Sequence, residues 1–293
     1  MMILRNLNIS YGALQEGCAL CLIGRKMTLF ITGLCPNKCY YCPVSSDKMW
    51  KDKVYANERL VNSVEDAIEE VRNSGALGTA ITGGEPLVVI NRVIEYITAL
   101  KKEFGKKHHI HLYSGFPNLK LENAERLFIS GLDEIRFHII AAKGVEDSIQ
   151  VASRFPWRVG VEIPALPELD YIEIAKRAKE CGAQFMILDE YEINEENYFA
   201  AKIKHDQCQN ALLAASENKI TSILKELQKI LPVHYCTVLS KYQIQYRNRL
   251  VASFYAKQYK KAELLDDGTA IRRSGNKTIR FLPVFNEPIY EVL

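Results

Sequence analysis

No apolar run in the 293-residue chain reaches the roughly 18 residues that a membrane-spanning helix needs. No basic segment leads into a long apolar stretch at the N-terminus either. Both absences argue against a membrane or secreted protein. Net charge is also scarce: 38 Lys and Arg stand against 35 Asp and Glu, a formal +3, too little by itself to imply a polyanionic partner. There is no repeat of solenoid length and no low-complexity tract. Eight cysteines would suit disulfides in a small secreted domain, and this chain is not small. A reducing cytoplasmic interior fits the free thiols better. What is present is ordinary for a globular protein, with 48% hydrophobic and 25% charged residues and length enough to bury a large core.

Cysteines are concentrated in one place. Cys35-Pro36-Asn37-Lys38-Cys39-Tyr40-Tyr41-Cys42 forms a C-x3-C-x2-C loop directly after the apolar run 28–32. A [4Fe-4S] cluster takes four thiolates, so three would leave one iron open to a small molecule. A structural zinc wants four ligands and no open position; three buried structural cysteines are the remaining alternative. After the next strand comes Ile81-Thr82-Gly83-Gly84-Glu85-Pro86. Two glycines there let backbone carbonyls and the Glu85 carboxylate approach a bound ammonium closely.

Together these residues resemble the signature of the radical S-adenosylmethionine (SAM) superfamily, C-x3-C-x-aromatic-C with Tyr41 as the aromatic. The resemblance implies that Cys35, Cys39 and Cys42 bind a [4Fe-4S] cluster whose fourth iron is chelated by the methionyl group of SAM. It further implies that Gly83, Gly84 and Glu85 hold that methionyl end and that Tyr41 lies against the adenine. A low-potential electron donor such as ferredoxin or flavodoxin is implied as a partner. Cys18-Ala19-Leu20-Cys21, Lys26-Met27 and His234-Tyr235-Cys236 accompany such a core in a subgroup similar to the pyruvate formate-lyase activating enzyme. No cobalamin-binding domain and no multi-cysteine C-terminal tail is visible.

Short β-rich runs alternate with helical ones from Met27 to about Tyr191, the pattern of parallel strands joined by crossovers. Strands are expected at 28–32, 79–82, 110–113, 134–139, 159–163 and 185–191. Val64, Ala67, Ile68 and Val71 mark a helix behind a Ser63/Asp66 capping pattern. Val93, Ile97, Leu100 and Phe104 mark another, with Asn91 as N-cap and Gly105 as stop. Six βα units resemble the partial (β/α)6 barrel of the radical SAM fold. The expected α/β architecture is an N-terminal C-x2-C segment (1–27), the partial barrel (28–193) and a C-terminal helical extension with a small β portion (194–293).

Parallel α/β barrels place their sites at the carboxyl ends of strands. That rule nominates Tyr113, Ser114, His138, Glu162, Glu190 and Glu192. Ser114 and His138 are candidates for holding the cofactor, and Glu162 and Glu190 for catalysis. Glu162 leads, because a carboxylate at a buried strand end needs a reason. Cys18, Cys21 and Cys236, with Cys208 or His234 as fourth ligand, are candidates for a second iron-sulfur cluster or a zinc; the plain alternative is small buried hydrophobes. Between Lys241 and Arg280 there are ten basic residues against three acids, interleaved with Tyr242, Tyr246, Tyr255 and Tyr259. Basic side chains track phosphates and aromatics stack on unpaired bases, so a macromolecular substrate, tRNA above all, is expected. Radical modification of a protein or peptide is the alternative, and an iron-sulfur binding protein without turnover the non-enzymatic one.

Overall fold

The computed structural model describes residues 2–4, 8–204, 217–274, 277–285 and 288–292. Its main sheet contains β1 (Met2–Leu4), β2 (Asn8–Tyr11), β3 (Lys26–Phe30), β4 (Val54–Ala56), β5 (Arg59–Val61), β6 (Gly78–Thr82), β7 (His109–Ser114), β8 (Glu134–Phe137), β9 (Arg158–Pro164), β10 (Met186–Asp189) and β11 (Val233–Cys236). The spatial order is β1-β2-β11-β10-β9-β8-β7-β6-β3-β4-β5. From β3 to β11 all neighbours are parallel. The six expected strands are therefore all present. β11 adds a further parallel strand, so the sheet runs on past the division expected at 193/194. The N-terminal segment is also part of it, because β2 pairs antiparallel with β11.

Helices α1 (Glu16–Leu22), α2 (Val64–Ser74), α3 (Ile90–Phe104), α4 (Leu121–Ile129), α5 (Val145–Ala152), α6 (Tyr171–Glu180), α7 (Tyr198–Lys204) and α8 (Glu217–Leu227) accompany the strands. The expected capping box is formed: Ser63 accepts from the Asp66 amide and Asp66 answers to the Ser63 amide. Gly105 ends α3 as expected, but Asn91 is not its cap. The N-cap is Val89, and a 3-10 turn, Pro86–Val89, leads straight into the helix. Asn91 instead accepts a hydrogen bond from Arg126 Nη2 at 2.6 Å. After β11 come a single turn, Val238–Ser240, a π-helical stretch, Lys241–Tyr246, and the helix Arg247–Ala256. A separate antiparallel sheet, β12 (Ala262–Leu264), β13 (Ala270–Ser274), β14 (Lys277–Phe281) and β15 (Pro288–Val292), forms the small β portion.

The barrel strands are two-faced. Met27 and Leu29, Ile81, Ile110 and Leu112, Ile135 and Phe137, Val159 and Val161, and Leu188 are almost wholly buried in the main apolar cluster, which includes α2–α6 residues such as Val71, Ile97, Leu127, Ile149 and Ala175. The alternate positions, Lys26, Thr28, Thr82, Tyr113, Arg136, His138, Glu162, Asp189, His234 and Cys236, line an interior cavity. A parallel strand buried on both faces is ordinarily apolar on both, so a polar inner face marks the interior as a place for chemistry.

Helix α1 lies across the amino-terminal end of this barrel. The position of a Cβ on Gly78, the first residue of β6, would be 2.7 Å from Leu20 Cδ1. A Cβ on Gly17 would sit 2.5 Å from His111 Nδ1 and 2.7 Å from Arg136 Nη2. Both neighbours are fully buried and have nowhere to retreat. Gly17→Ala is therefore expected to destabilise the fold by roughly 1–3 kcal/mol, measured as a shift of the urea midpoint with unchanged slope; an unshifted midpoint would mean that α1 is not seated against β7 and β8.

Candidate active site

The cysteine loop springs from β3 and returns at β4, and its root is tied down by charge. Thr32 Oγ1 donates to Asp52 Oδ1 at 2.8 Å, and Arg92 grips both oxygens of Asp52 at 2.6 and 2.9 Å. Arg92 and Thr32 hold the Asp52 carboxyl at about 2, below the usual carboxylate range. The same Arg92 donates to the Ile31 carbonyl at 3.1 Å, so loop, strand and α3 share one clamp.

Gly83-Gly84-Glu85 is stitched to this root through the backbone. Gly84 N donates to Thr32 O, and Glu85 N to Leu34 O, each at 2.7 Å. A Cβ on Gly84 would lie 2.4 Å from the Leu34 carbonyl oxygen, and one on Gly83 2.5 Å from that of Thr32. The two glycines are thus required first by the approach of two backbones.

Glu85 is 1% exposed. Its Oε1 accepts from Leu87 N at 3.0 Å and from Ser114 Oγ at 2.8 Å, and its Oε2 from Gly115 N at 2.7 Å. Burial raises its carboxyl above the normal value despite these bonds. With Gly115 N as its one partner among the described residues, Oε2 retains acceptor capacity. Ser114 is spent: it donates to Glu85 and accepts from Phe116 N at 3.0 Å, so it positions Glu85 and offers no free hydroxyl.

Cys35, Cys39 and Cys42 are half-buried and line the mouth of the interior cavity, which measures about 770 Å³. Burial pushes the Cys35 thiol up to about 11 and raises Cys39 as well. Soft sulfur donors on one loop, with Glu85 acting on Cys35, fit an iron-sulfur cluster and its chelated ligand. Among the described residues no three His, Cys, Asp or Glu side chains already converge at metal-ligand spacing. A cluster held by Cys35, Cys39 and Cys42 would bind them as thiolates, with release of their protons.

Tyr41 and His138 form a bridge over the cavity. His138 Nδ1 lies 3.1 Å from the carbonyl oxygen of Glu162, which can only accept, so Nδ1 carries the hydrogen. Its Nε2 then accepts from Tyr41 OH at 2.9 Å. Burial keeps the imidazole neutral by lowering its pKa.

Deeper in the cavity lies a charge network that the sequence reading found only in part. Arg136, 1% exposed, donates through Nε to Glu134 and through Nη1 to Glu162 Oε2 at 2.8 Å. Glu162 in turn reaches Asp189 on β10, and Lys241 lies 3.3 Å from Asp189. Burial and the neighbouring Asp189 charge push Glu162 up to about 7, while Lys241 holds Asp189 low, so the pair shares one proton. Arg136, Asp189 and Lys241 were missed. Glu134, Arg136 and His138 alternate along one strand, a signal that was available, whereas nothing local to Lys241 reports that its π-helical stretch folds back over β10. Glu190 and Glu192 also line the cavity, but each has a structural partner: Glu190 accepts from Val238 N at 2.7 Å, and Glu192 from Tyr242 OH at 2.6 Å.

The candidates for a second metal site are brought to the same cavity. Cys18, Cys21, His234 and Cys236 all line it, and Cys208 lies outside the described residues. Gln245 stands between Cys21 and Cys236, and His234 Nδ1 pairs with Ser10 Oγ at 2.7 Å.

The basic C-terminal segment is largely engaged within the chain. Arg249 pairs with Glu58 and Arg280 with Asp267, and Arg247 donates to the Asp266 carbonyl at 2.5 Å. Lys257 donates to the carbonyls of Pro283 and Val284, and Arg272 lies over the Phe281 ring.

A family model described as the radical SAM superfamily matches residues 29–188, over half of the chain. A Methanocaldococcus jannaschii protein, provisionally named a glycyl-radical enzyme activating enzyme, is 40% identical over 281 residues, covering 90% of this chain and 74% of that protein. Methylornithine synthase (PylB) superposes with a TM-score of 0.51 at 14% identity, over 75% of this chain and 72% of that one. SuiB of Streptococcus suis bound to S-adenosylmethionine gives 0.51 at 12% identity, over 84% of this chain and 59% of that one. At these identities the two structures speak for the fold.

Glu162 takes up its proton with a folded-state pKa above the unfolded one. Its contribution to stability is therefore complete below about 4.5 and is lost as pH rises through about 7. Glu162→Gln should flatten the pH dependence of unfolding in that window, as seen in denaturant midpoints; an unchanged slope would show that Glu162 does not carry the shared proton.

Proposed function

The chain belongs to the radical SAM superfamily, and from that premise we propose that its barrel cavity is where a SAM-derived radical meets part of a polypeptide substrate. A [4Fe-4S] cluster and SAM are the cofactors of such an enzyme. Bound together they supply one-electron cleavage of the sulfonium to methionine and a 5'-deoxyadenosyl radical. Cys35, Cys39 and Cys42 would hold the cluster, leaving one iron for the methionyl group. Glu85 Oε2 and the carbonyls around Gly83 and Gly84 would accept from its ammonium. Tyr41, kept in place by His138, would flank the adenine. The observation that carries the proposal is the backbone stitch between the cysteine loop and Gly84-Glu85 at the mouth of one cavity.

Deeper residues then act on the substrate. Arg136, Glu162, Asp189 and Lys241 present donors, acceptors and one exchangeable proton to whatever enters from the carboxyl-terminal end. Glu162 is placed to give or take a proton once hydrogen has been abstracted. Glu190 is better suited to hold the turn after β11 than to act chemically.

The preference for a protein or peptide substrate has two supports. The relative at 40% identity carries the name of an activating enzyme. The basic segment that favours RNA is mostly occupied by partners within the chain. A tRNA substrate keeps some support from Tyr255, 67% exposed, and from Lys260 and Lys261, exposed a few residues further along the chain. A cytoplasmic setting with a low-potential ferredoxin or flavodoxin as donor suits a thiolate-held cluster and unpaired thiols.

Anaerobic protein given SAM and dithionite is expected to release methionine and 5'-deoxyadenosine, with Cys35→Ala lowering the rate at least about a hundredfold. Neither product from the reconstituted wild type would end the radical reading. In a low-salt gel shift bulk tRNA should not be retained; salt-sensitive retention would reverse the preference between the two substrate classes.

A further inference from the structure

Three thiols line the cavity apart from the cysteine loop, and their hydrogens are not equally committed. Cys18 is packed among Leu14, Phe185 and Ile187. Cys21 donates its hydrogen to Gln245 Oε1 at 2.7 Å. The same amide turns its other end to Cys236, and Gln245 Nε2 donates to Cys236 Sγ at 3.4 Å. An amide nitrogen carries hydrogens and has no lone pair to accept one. The Cys236 sulfur is the acceptor in this contact, and among the described residues its own S–H has no acceptor.

The position of that thiol suits a reactive role. Cys236 ends β11 in register with Asp189, at the carboxyl-terminal end of the barrel from which the cysteine loop also rises. The Glu162–Asp189 pair and Lys241 stand beside it, and together they hold exchangeable protons. Gln245, itself placed by the π-helical stretch, fixes the sulfur.

We propose that Cys236 is a second reactive centre of the cavity, whose thiol gives a hydrogen atom to a carbon-centred radical held there. In this step the S–H bond breaks and a C–H bond forms, each partner taking one electron of the old pair. The carbon radical becomes a closed-shell product and Cys236 becomes a thiyl radical. One electron from the low-potential donor and one proton from the Glu162–Asp189 pair restore the thiol. The transfer runs downhill because an S–H bond is weaker than the alkyl C–H bond it makes. Among the described residues the comparable hydroxyls facing the cavity include Tyr41, which donates to His138 Nε2, and Tyr113, whose oxygen accepts from Arg136 Nη1 at 3.2 Å and whose O–H has His111 Nε2 as an acceptor at 3.3 Å.

The proposal rests on the radical reading, and one experiment separates the two. Wild-type protein carrying its cluster is given SAM and dithionite in D2O, in thiol-free buffer without added substrate, and the 5'-deoxyadenosine is analysed by mass spectrometry. Cys236 is expected to supply deuterium, and Cys236→Ser to lower the deuterated fraction about tenfold, while Cys21→Ser keeps it. The fraction is a ratio, so a change in total turnover does not enter it. Should the serine variant misfold, Cys236→Ala, checked by circular dichroism and iron content, replaces it. Unlabelled product from the wild type overturns the proposal, as does equal labelling in the variant, which would move the donor to a phenol. About four further irons per chain that are lost with Cys236 would make it a metal ligand and overturn it too. A complete absence of 5'-deoxyadenosine removes the radical reading and this proposal together.

Discussion

Two backbone hydrogen bonds, Gly84 N to Thr32 O and Glu85 N to Leu34 O, hold the structure's chemistry in one place. They join the loop after β3 to the loop after β6, the carboxyl ends of two adjacent parallel strands. Backbone-to-backbone contact at that distance leaves no room for a Cβ on Gly83 or Gly84. Everything else at the mouth is arranged around that stitch. Arg92 and Asp52 clamp the loop's root from outside, and Ser114 and Gly115 secure the Glu85 carboxylate from inside. Because amide groups are pre-oriented by the strands they leave, the acceptors around Glu85 face the cysteines before any ligand arrives.

Behind the mouth the barrel trades stability for polarity. A guanidinium buried to the degree of Arg136 is costly unless its charge is answered, and Glu134 and Glu162 answer it from either side. Lys241 and Asp189 repeat the arrangement one strand further on. Three carboxyls set against two cations leave a surplus that the shared proton on Glu162 cancels. Arg136 Nη2 and His111 Nδ1, both buried, have no hydrogen-bond partner among the described residues. Such features belong to a site, where local cost is accepted for chemistry.

Much of the barrel was legible in the chain because its outer face follows the period of two so regularly. Met27 and Leu29 alternate with Lys26 and Thr28, and Ile135 and Phe137 with Arg136 and His138. The capping box at Ser63 and the stop at Gly105 are local and could be read directly. The start of α3 could not, because the 3-10 turn after Pro86 exists to serve Glu85 rather than the helix. At the site, the cysteine spacing and the two glycines were visible as motifs. Arg136 was passed over because the strand-end rule singles out His138, although Glu134, Arg136 and His138 alternate with Ile135 and Phe137. The pairing of β11 with β10 and the position of Lys241 were hidden by distance, since only tertiary structure brings 233–241 alongside β10. The basic composition of the C-terminal segment is only half legible for a related reason: sequence counts charges but does not show that Glu58, Asp267 and the Pro283 and Val284 carbonyls take several of them up.

Helix α1, set across the amino end and packed against β6, β7 and β8, gives the barrel a floor. SAM, lodged near the rim against Glu85 and Tyr41, would stand in the path of anything destined for Arg136 and Glu162 below. On the proposed function the deeper guest would then arrive before the shallower one and leave after it, so that order of arrival would be set by architecture, with the helix across the floor as timekeeper for a reaction at the top.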